Sequence, residues 1–157
     1  MNRYSVLAFL AISCLLIFSC GDGSYESKTY FENRTGHKIT IEPYGANNSI
    51  EIYRYDLAAN DVKLVVGDKG RGSAIGYTYA DIGDSIVVTF DDTLKVSHLG
   101  MNKKAIPRSY AYEHPRNLKN RNNYTYKILE SSKKFTSNEY RYIFTPEDYQ
   151  DAVKLNK

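Results

Sequence analysis

Apolar and polar residues alternate with a period of two along most of this chain, the pattern of strands with one buried face. In residues 38–42, Ile39 and Ile41 share one side, with Lys38, Thr40 and Glu42 on the other. Residues 28–33 precede them, and Arg34-Thr35-Gly36-His37 between reads as a hairpin turn. Pro43 is expected to end the second strand, before a turn cluster at 45–48. Residues 49–55 align Ile50 with Ile52, and residues 62–66 align Val62, Leu64 and Val66. The clearest hairpin follows: Ile86, Val88 and Phe90 on one strand, the turn Asp91-Asp92, then Leu94, Val96 and His98 on the next. Residues 102–123 are polar, basic and interrupted by proline, and read mainly as loop. Residues 124–129 and 139–144 give the last strands, the latter with Tyr140, Tyr142 and Phe144 on one face.

The period changes at the C-terminus. Thr145 suits an N-cap and Pro146 the first helical position. Glu147 and Asp148 put negative charge in the first turn, and Tyr149, Ala152 and Val153 make one apolar stripe. Seven or more short strands and one terminal helix predict a mainly β fold, an antiparallel β-sandwich closed by a short helix.

The N-terminus departs from alternation altogether. Residues 6–18 are apolar apart from Ser13, and Arg3 precedes them. That run is shorter than the ~20 residues a membrane-spanning helix needs and has the length of a signal-peptide core. Ile17-Phe18-Ser19-Cys20 resembles a bacterial lipobox. The resemblance implies cleavage before Cys20, a thioether-linked diacylglycerol on its sulfur and a third acyl chain on its amine. Two buried chains already anchor a protein stably. The expected organisation is a signal peptide over 1–19, a lipidated tether over 20–28 and one β-sandwich domain over 29–157. Cys14 lies within the signal, so the mature chain keeps one cysteine, already modified, and has no internal disulfide.

Three further stretches, "ENRTGHKITI", "DSIVVTFDDTLKV" and "EYRYIFTPEDYQDA", resemble a group of small exported lipoproteins of Bacteroidota. That resemblance implies an Ig-like or transthyretin-like sandwich, attachment to the outer membrane through Cys20 with a periplasmic or surface face, and no catalytic residues. Asp84-Ser85-Ile86 and Asp92-Thr93-Leu94 match a short O-glycosylation signal of exported Bacteroidota proteins, making Ser85 and Thr93 candidate acceptors.

Fifteen tyrosines without a tryptophan favour strands and half-buried faces. Charge is nearly balanced overall but uneven locally. From Met101 to Lys134 nine basic residues face only Glu113 and Glu130. Lys103, Lys104, Arg108, Arg116, Lys119 and Arg121 are candidate contacts for a polyanion, and Tyr110 and Tyr112 are candidates for stacking on sugar rings. In an exported protein the available polyanions are anionic glycans, lipopolysaccharide and phospholipid headgroups rather than nucleic acid. The bland alternative is a solvated basic loop.

Other motifs carry less. Residues 67–76, GDKGRGSAIG, lack the strand–helix setting and spacing of a dinucleotide site and contain no Walker lysine, so a long hairpin loop is expected. His37, His98 and His114 show no ligand spacing. Asp81, Asp84, Asp91 and Asp92 fit turns better than a calcium loop. No nucleophile arrangement emerges, so no enzyme activity, cofactor or metal is expected. The sequence points to a lipid-anchored interaction module, with an envelope protein as a candidate partner and a glycan-binding or glycan-processing component as the alternative.

Overall fold

The computed structural model describes residues 23–45, 54–71 and 79–157. Residues 49–53 of the expected strand at 49–55, the glycines at 72 and 76, and Cys20 with the expected signal peptide lie outside the described residues. The fold is mainly β, with two sheets sharing one core and a single short C-terminal helix. Sheet A has the order β4-β1-β9-β8, from β1 (Ser24–Asn33), β4 (Val62–Arg71), β8 (Thr125–Ser131) and β9 (Phe135–Phe144). Sheet B has the order β3-β2-β5-β6-β7, from β2 (Ile39–Tyr44), β3 (Tyr55–Leu57), β5 (Ser85–Phe90), β6 (Leu94–Leu99) and β7 (Ser109–Tyr110). The helix α1 spans Pro146–Leu155.

Both sheets are mixed. Most pairs are antiparallel, as expected, but β1 runs parallel to β9 over its whole length and β7 pairs parallel to β6. The expected hairpin across residues 34–37 is not one. β1 belongs to sheet A and β2 to sheet B, so this turn carries the chain between layers. The Asn33 side chain holds that crossover: its Nδ2 donates to His37 O at 2.7 Å, and its Oδ1 accepts from Thr35 N at 3.0 Å. Gly36, at φ +81°, supplies the left-handed backbone.

The hairpin β5–β6 follows the expected alternation, with Leu94 partly buried and Thr89 and Leu99 buried besides. Ile86, Val88, Phe90, Val96 and His98 are buried. Residues 91–93 connect the strands: Asp91 and Asp92 adopt positive φ, 46° and 58°, and Thr93 N donates back to Phe90 O at 3.0 Å. Pro43 does not end β2; it pairs in register with Ile86, beyond the stretch that β3 covers.

Two other expectations fail for local reasons. In β4 the register shifts between Thr29 and Tyr30, so Val65 is the inserted residue. It is Val65 that is buried, while Val62 and Leu64 face outward. The expected loop at 67–76 and the expected tether at 20–28 each give residues to strands. Residues 67–71 continue β4, and they pair with residues 24–28, which form the first half of β1.

The core is aromatic at its centre. The Phe31 ring meets Tyr79 edge-on at 4.9 Å and Phe144 at 5.7 Å, and Tyr142 meets Phe144 at 4.9 Å. Such edge-to-face pairs add to area burial. Sheet B contributes Ile39, Ile41, Leu57, Ile86 and Val88. The helix docks through two of its three stripe residues: Ala152 is fully buried and Tyr149 stacks on His37 at 3.5 Å, while Leu155 rather than Val153 completes the packed face. Its N-terminus is closed by a capping box between Thr145 and Asp148.

Candidate functional site

An open cleft lies at one end of sheet B, where β5 begins and β6 ends. It is a cleft of about 280 Å³, lined by Ala80, Gly83, Asp84, Gly100, Met101, Lys103, Tyr112 and Lys119. Three segments build it: the turn before β5, the exit of β6 and the basic loop. Their close approach depends on glycine. A Cβ on Gly100 would lie 2.7 Å from Asp84 O, and Gly83 sits at φ +65° with Tyr44 O 2.5 Å from an added Cβ.

Two lysines and one carboxylate line this cleft. Lys103 Nζ lies 3.1 Å from Asp84 Oδ2, and both side chains are about half exposed. Lys119 is buried, with Nζ donating to Ile82 O at 2.8 Å and Gly83 O at 2.7 Å. Its charge is held against backbone dipoles and fixes one wall of the cleft. Asp84 is the one carboxylate among the described lining residues.

The structure divides the candidates of the basic stretch. Lys103, Lys119 and Tyr112 converge on the cleft, whereas Lys104 and Arg108 project from the fully exposed part of the loop. Arg116 turns inward to the helix, its Nε 3.1 Å from Asp148 Oδ1. Arg121 is half-buried in a 3-10 turn. Tyr110 is inside, only 6% exposed, and cannot offer a face to a sugar. Its ring stacks on His114 at 4.0 Å and meets His98 edge-on at 5.2 Å. Of the candidate glycosylation sites, Thr93 is exposed in the hairpin turn and Ser85 is half-buried within β5.

Behind β6, His98 and Asp148 line a packed gap with Phe90, Val96, Tyr110 and Phe144, with no room for a water molecule. Burial holds the His98 imidazole neutral, down to about 3, while its Nδ1 accepts from Leu118 N at 2.9 Å. Burial pushes the Asp148 carboxyl up to about 6, against the opposing pull of the Thr145 N–H and Arg116. These groups are sealed from solvent and fit a structural role. Among the described residues no group of three or more His, Cys, Asp or Glu side chains is placed to hold a metal ion. No described helix is long and apolar enough to cross a membrane.

Sequence reasoning missed Gly83, Gly100 and Met101 as lining residues. The signal was available only in part: Gly83 and Gly100 flank β5 and β6, and two glycines at the open end of a hairpin mark a close backbone approach. No family model, curated protein or solved structure matches this chain.

Proposed function

We propose that the protein is a lipid-anchored component of the bacterial outer membrane that acts without catalysis as a binding module. Its ligand is an anionic sugar or a similarly small, hydroxyl-rich anion, held in the cleft of Lys103, Tyr112 and Lys119. The cleft itself carries this reading: two cations, one aromatic ring and one carboxylate around about 280 Å³. That volume falls just below the ~300–1,000 Å³ usual for ligand sites, which suits a small ligand. Hydrolysis of a glycan normally needs two carboxylates across the bond, and this lining offers Asp84. The lipobox at Cys20 supports the envelope location.

Titration of the mature protein with an acidic oligosaccharide, at low and moderate salt, tests the reading. Lys103→Ser is expected to weaken binding several-fold at low salt and less at moderate salt, where exposed charge is screened beyond about 8 Å. Tyr112→Ala is expected to weaken it at both. Absence of binding at low salt, or unchanged affinity in both variants, would end this assignment.

A second reading has its own observation. Edge strand β8 is exposed throughout, with Tyr126, Ile128 and Leu129 at 52, 54 and 46% exposure. Such an edge suits strand addition by an envelope protein. Ile128→Lys would disrupt that contact and leave cleft binding unchanged.

A further inference from the structure

The point at which the chain enters sheet A carries information about how the domain meets its membrane. Ser24 opens β1, paired on one side with Arg71 of β4 and on the other with Phe135 of β9. Its N–H donates to Lys134 O at 2.8 Å, and its hydroxyl to the same oxygen at 3.2 Å. Gly23 passes over the same turn, where an added Cβ would lie 3.7 Å from Lys134 O. The entry of the chain is therefore pinned to the turn between β8 and β9. Three residue steps separate Gly23 from Cys20, a span of at most about 11 Å. With a nine-residue tether the domain could tumble freely; with three residues it cannot.

The charge at this end is positive. Lys133, Lys134 and Arg71 are exposed. Among the described residues, none of their side chains forms an ion pair or hydrogen bond. The neighbouring carboxylates on β1 and β4 are already engaged. Glu26 lies 2.9 Å from Lys69 and 3.4 Å from Lys28, and Asp68 accepts from the Tyr25 hydroxyl at 3.0 Å. Among the described residues Glu130, exposed on β8, opposes this charge, and Asp22 lies in the linker itself.

We infer that this end of sheet A is a membrane-docking rim, on which Lys133, Lys134 and Arg71 lie against anionic phospholipid headgroups. The inference rests on lipidation of Cys20 as proposed above. The acyl chains supply attachment and the rim supplies orientation, with β1 rising away from the bilayer. A basic side chain at an anionic surface favours contact roughly fivefold.

The test uses the lipidated protein, reconstituted into vesicles of phosphatidylethanolamine and phosphatidylglycerol that contain a headgroup-linked nitroxide quencher. Because lipid consumes the Cys20 thiol, an introduced cysteine is the single labelling site. A fluorophore on Lys133→Cys is compared with one on Ala59→Cys. Ala59 is exposed at the far end of β1, where Ala58 O and Asn60 N both bond Asn33. The ten-residue strand separates the two labels by about 30 Å. Quenching several-fold greater at 133 than at 59 is expected. Replacing Lys134 and Arg71 with Glu, or using phosphatidylcholine alone, should reduce that difference at least by half. Equal quenching at both sites, or a difference untouched by charge reversal, overturns the docking rim. If the acyl mass on Cys20 is present in that sample, the lipoprotein reading survives the result. If the acyl mass is absent, that reading fails, and the rim falls with it.

Discussion

Arg116 Nε lies 3.1 Å from Asp148 Oδ1, and this contact ties the basic loop to the first turn of the C-terminal helix. The guanidinium also reaches Thr145 Oγ1 and, at 3.5 Å, Glu147 Oε2. Asp148 is almost fully buried, so its carboxylate needs that partner. Arg116→Ala should therefore lower stability by about 2 kcal/mol, the usual cost of leaving a buried acceptor unsatisfied. Denaturant unfolding measures it. The same variant should bind an acidic oligosaccharide as wild type does, because Arg116 faces the helix and does not line the cleft. An unchanged unfolding midpoint would mean that the loop and helix are not coupled.

The acid limb of stability should depend on two groups of opposite sign. His98 is depressed from 6.5 to about 3 by burial. Between those values the unfolded chain binds a proton that the folded protein refuses, so stability falls as pH drops through 6.5. Asp148 is raised from 3.8 to about 6, also by burial. Between those values the folded protein keeps a proton that the unfolded chain has lost, so this group makes stability rise as pH drops through 6. The two oppose each other between about pH 6 and 4. His98→Asn keeps an acceptor for Leu118 N and should gain stability on acidification across that window. Asp148→Asn should lose it. Parallel profiles for the two variants would show that neither group titrates as its burial requires.

What alternation could reveal was local. The hairpin Ser85–Leu99 and the helix after Thr145 are set by neighbours in sequence, through side-chain period, turn residues and a capping box. The pairing of β1 with β9 joins residues 111 positions apart, and nothing in either strand names its partner. In β4 a single inserted residue reversed the faces, because a period of two turns one extra position into a complete inversion. Lys119 was read as a surface charge because lysine is seldom buried. Two backbone carbonyls at 2.8 and 2.7 Å make this one an exception that sequence cannot show. The crossover at Asn33 resembled a hairpin for a similar reason: its deciding feature is a side chain that closes the turn on itself.

Helix α1 is short and needs its tertiary contacts to persist. Tyr149 supplies two of them, stacking on His37 at 3.5 Å and meeting Phe90 edge-on at 5.8 Å. Tyr149→Ala should destabilise the domain by about 2–3 kcal/mol, toward the lower end for aromatic truncation because the ring is only partly buried. Tyr149→Phe keeps the ring contacts and should recover most of the loss. Equal destabilisation by both would point to the hydroxyl instead.

Gly70, within the glycine-rich stretch, has a packing role. A Cβ at this position would come within 2.6 Å of Tyr25 Cε1, 2.7 Å of the Tyr25 hydroxyl oxygen and 2.8 Å of Cζ. Gly70 and Tyr25 are partners across β1 and β4, so the ring lies flat over the bare backbone opposite. From there its hydroxyl donates to Asp68 at 3.0 Å. Gly70→Ala should displace the ring, lose that hydrogen bond and cost about 1–2 kcal/mol. Tyr25→Ala alone should cost about 1 kcal/mol, since the ring is only partly buried. The double variant decides the matter. With the ring gone, the new methyl meets no obstacle, and alanine is easier than glycine to fix in a strand. The pair should then be about as stable as Tyr25→Ala, and the two losses should not add. Additive losses would mean that Gly70 is needed for its backbone conformation and not for the space that it leaves to Tyr25.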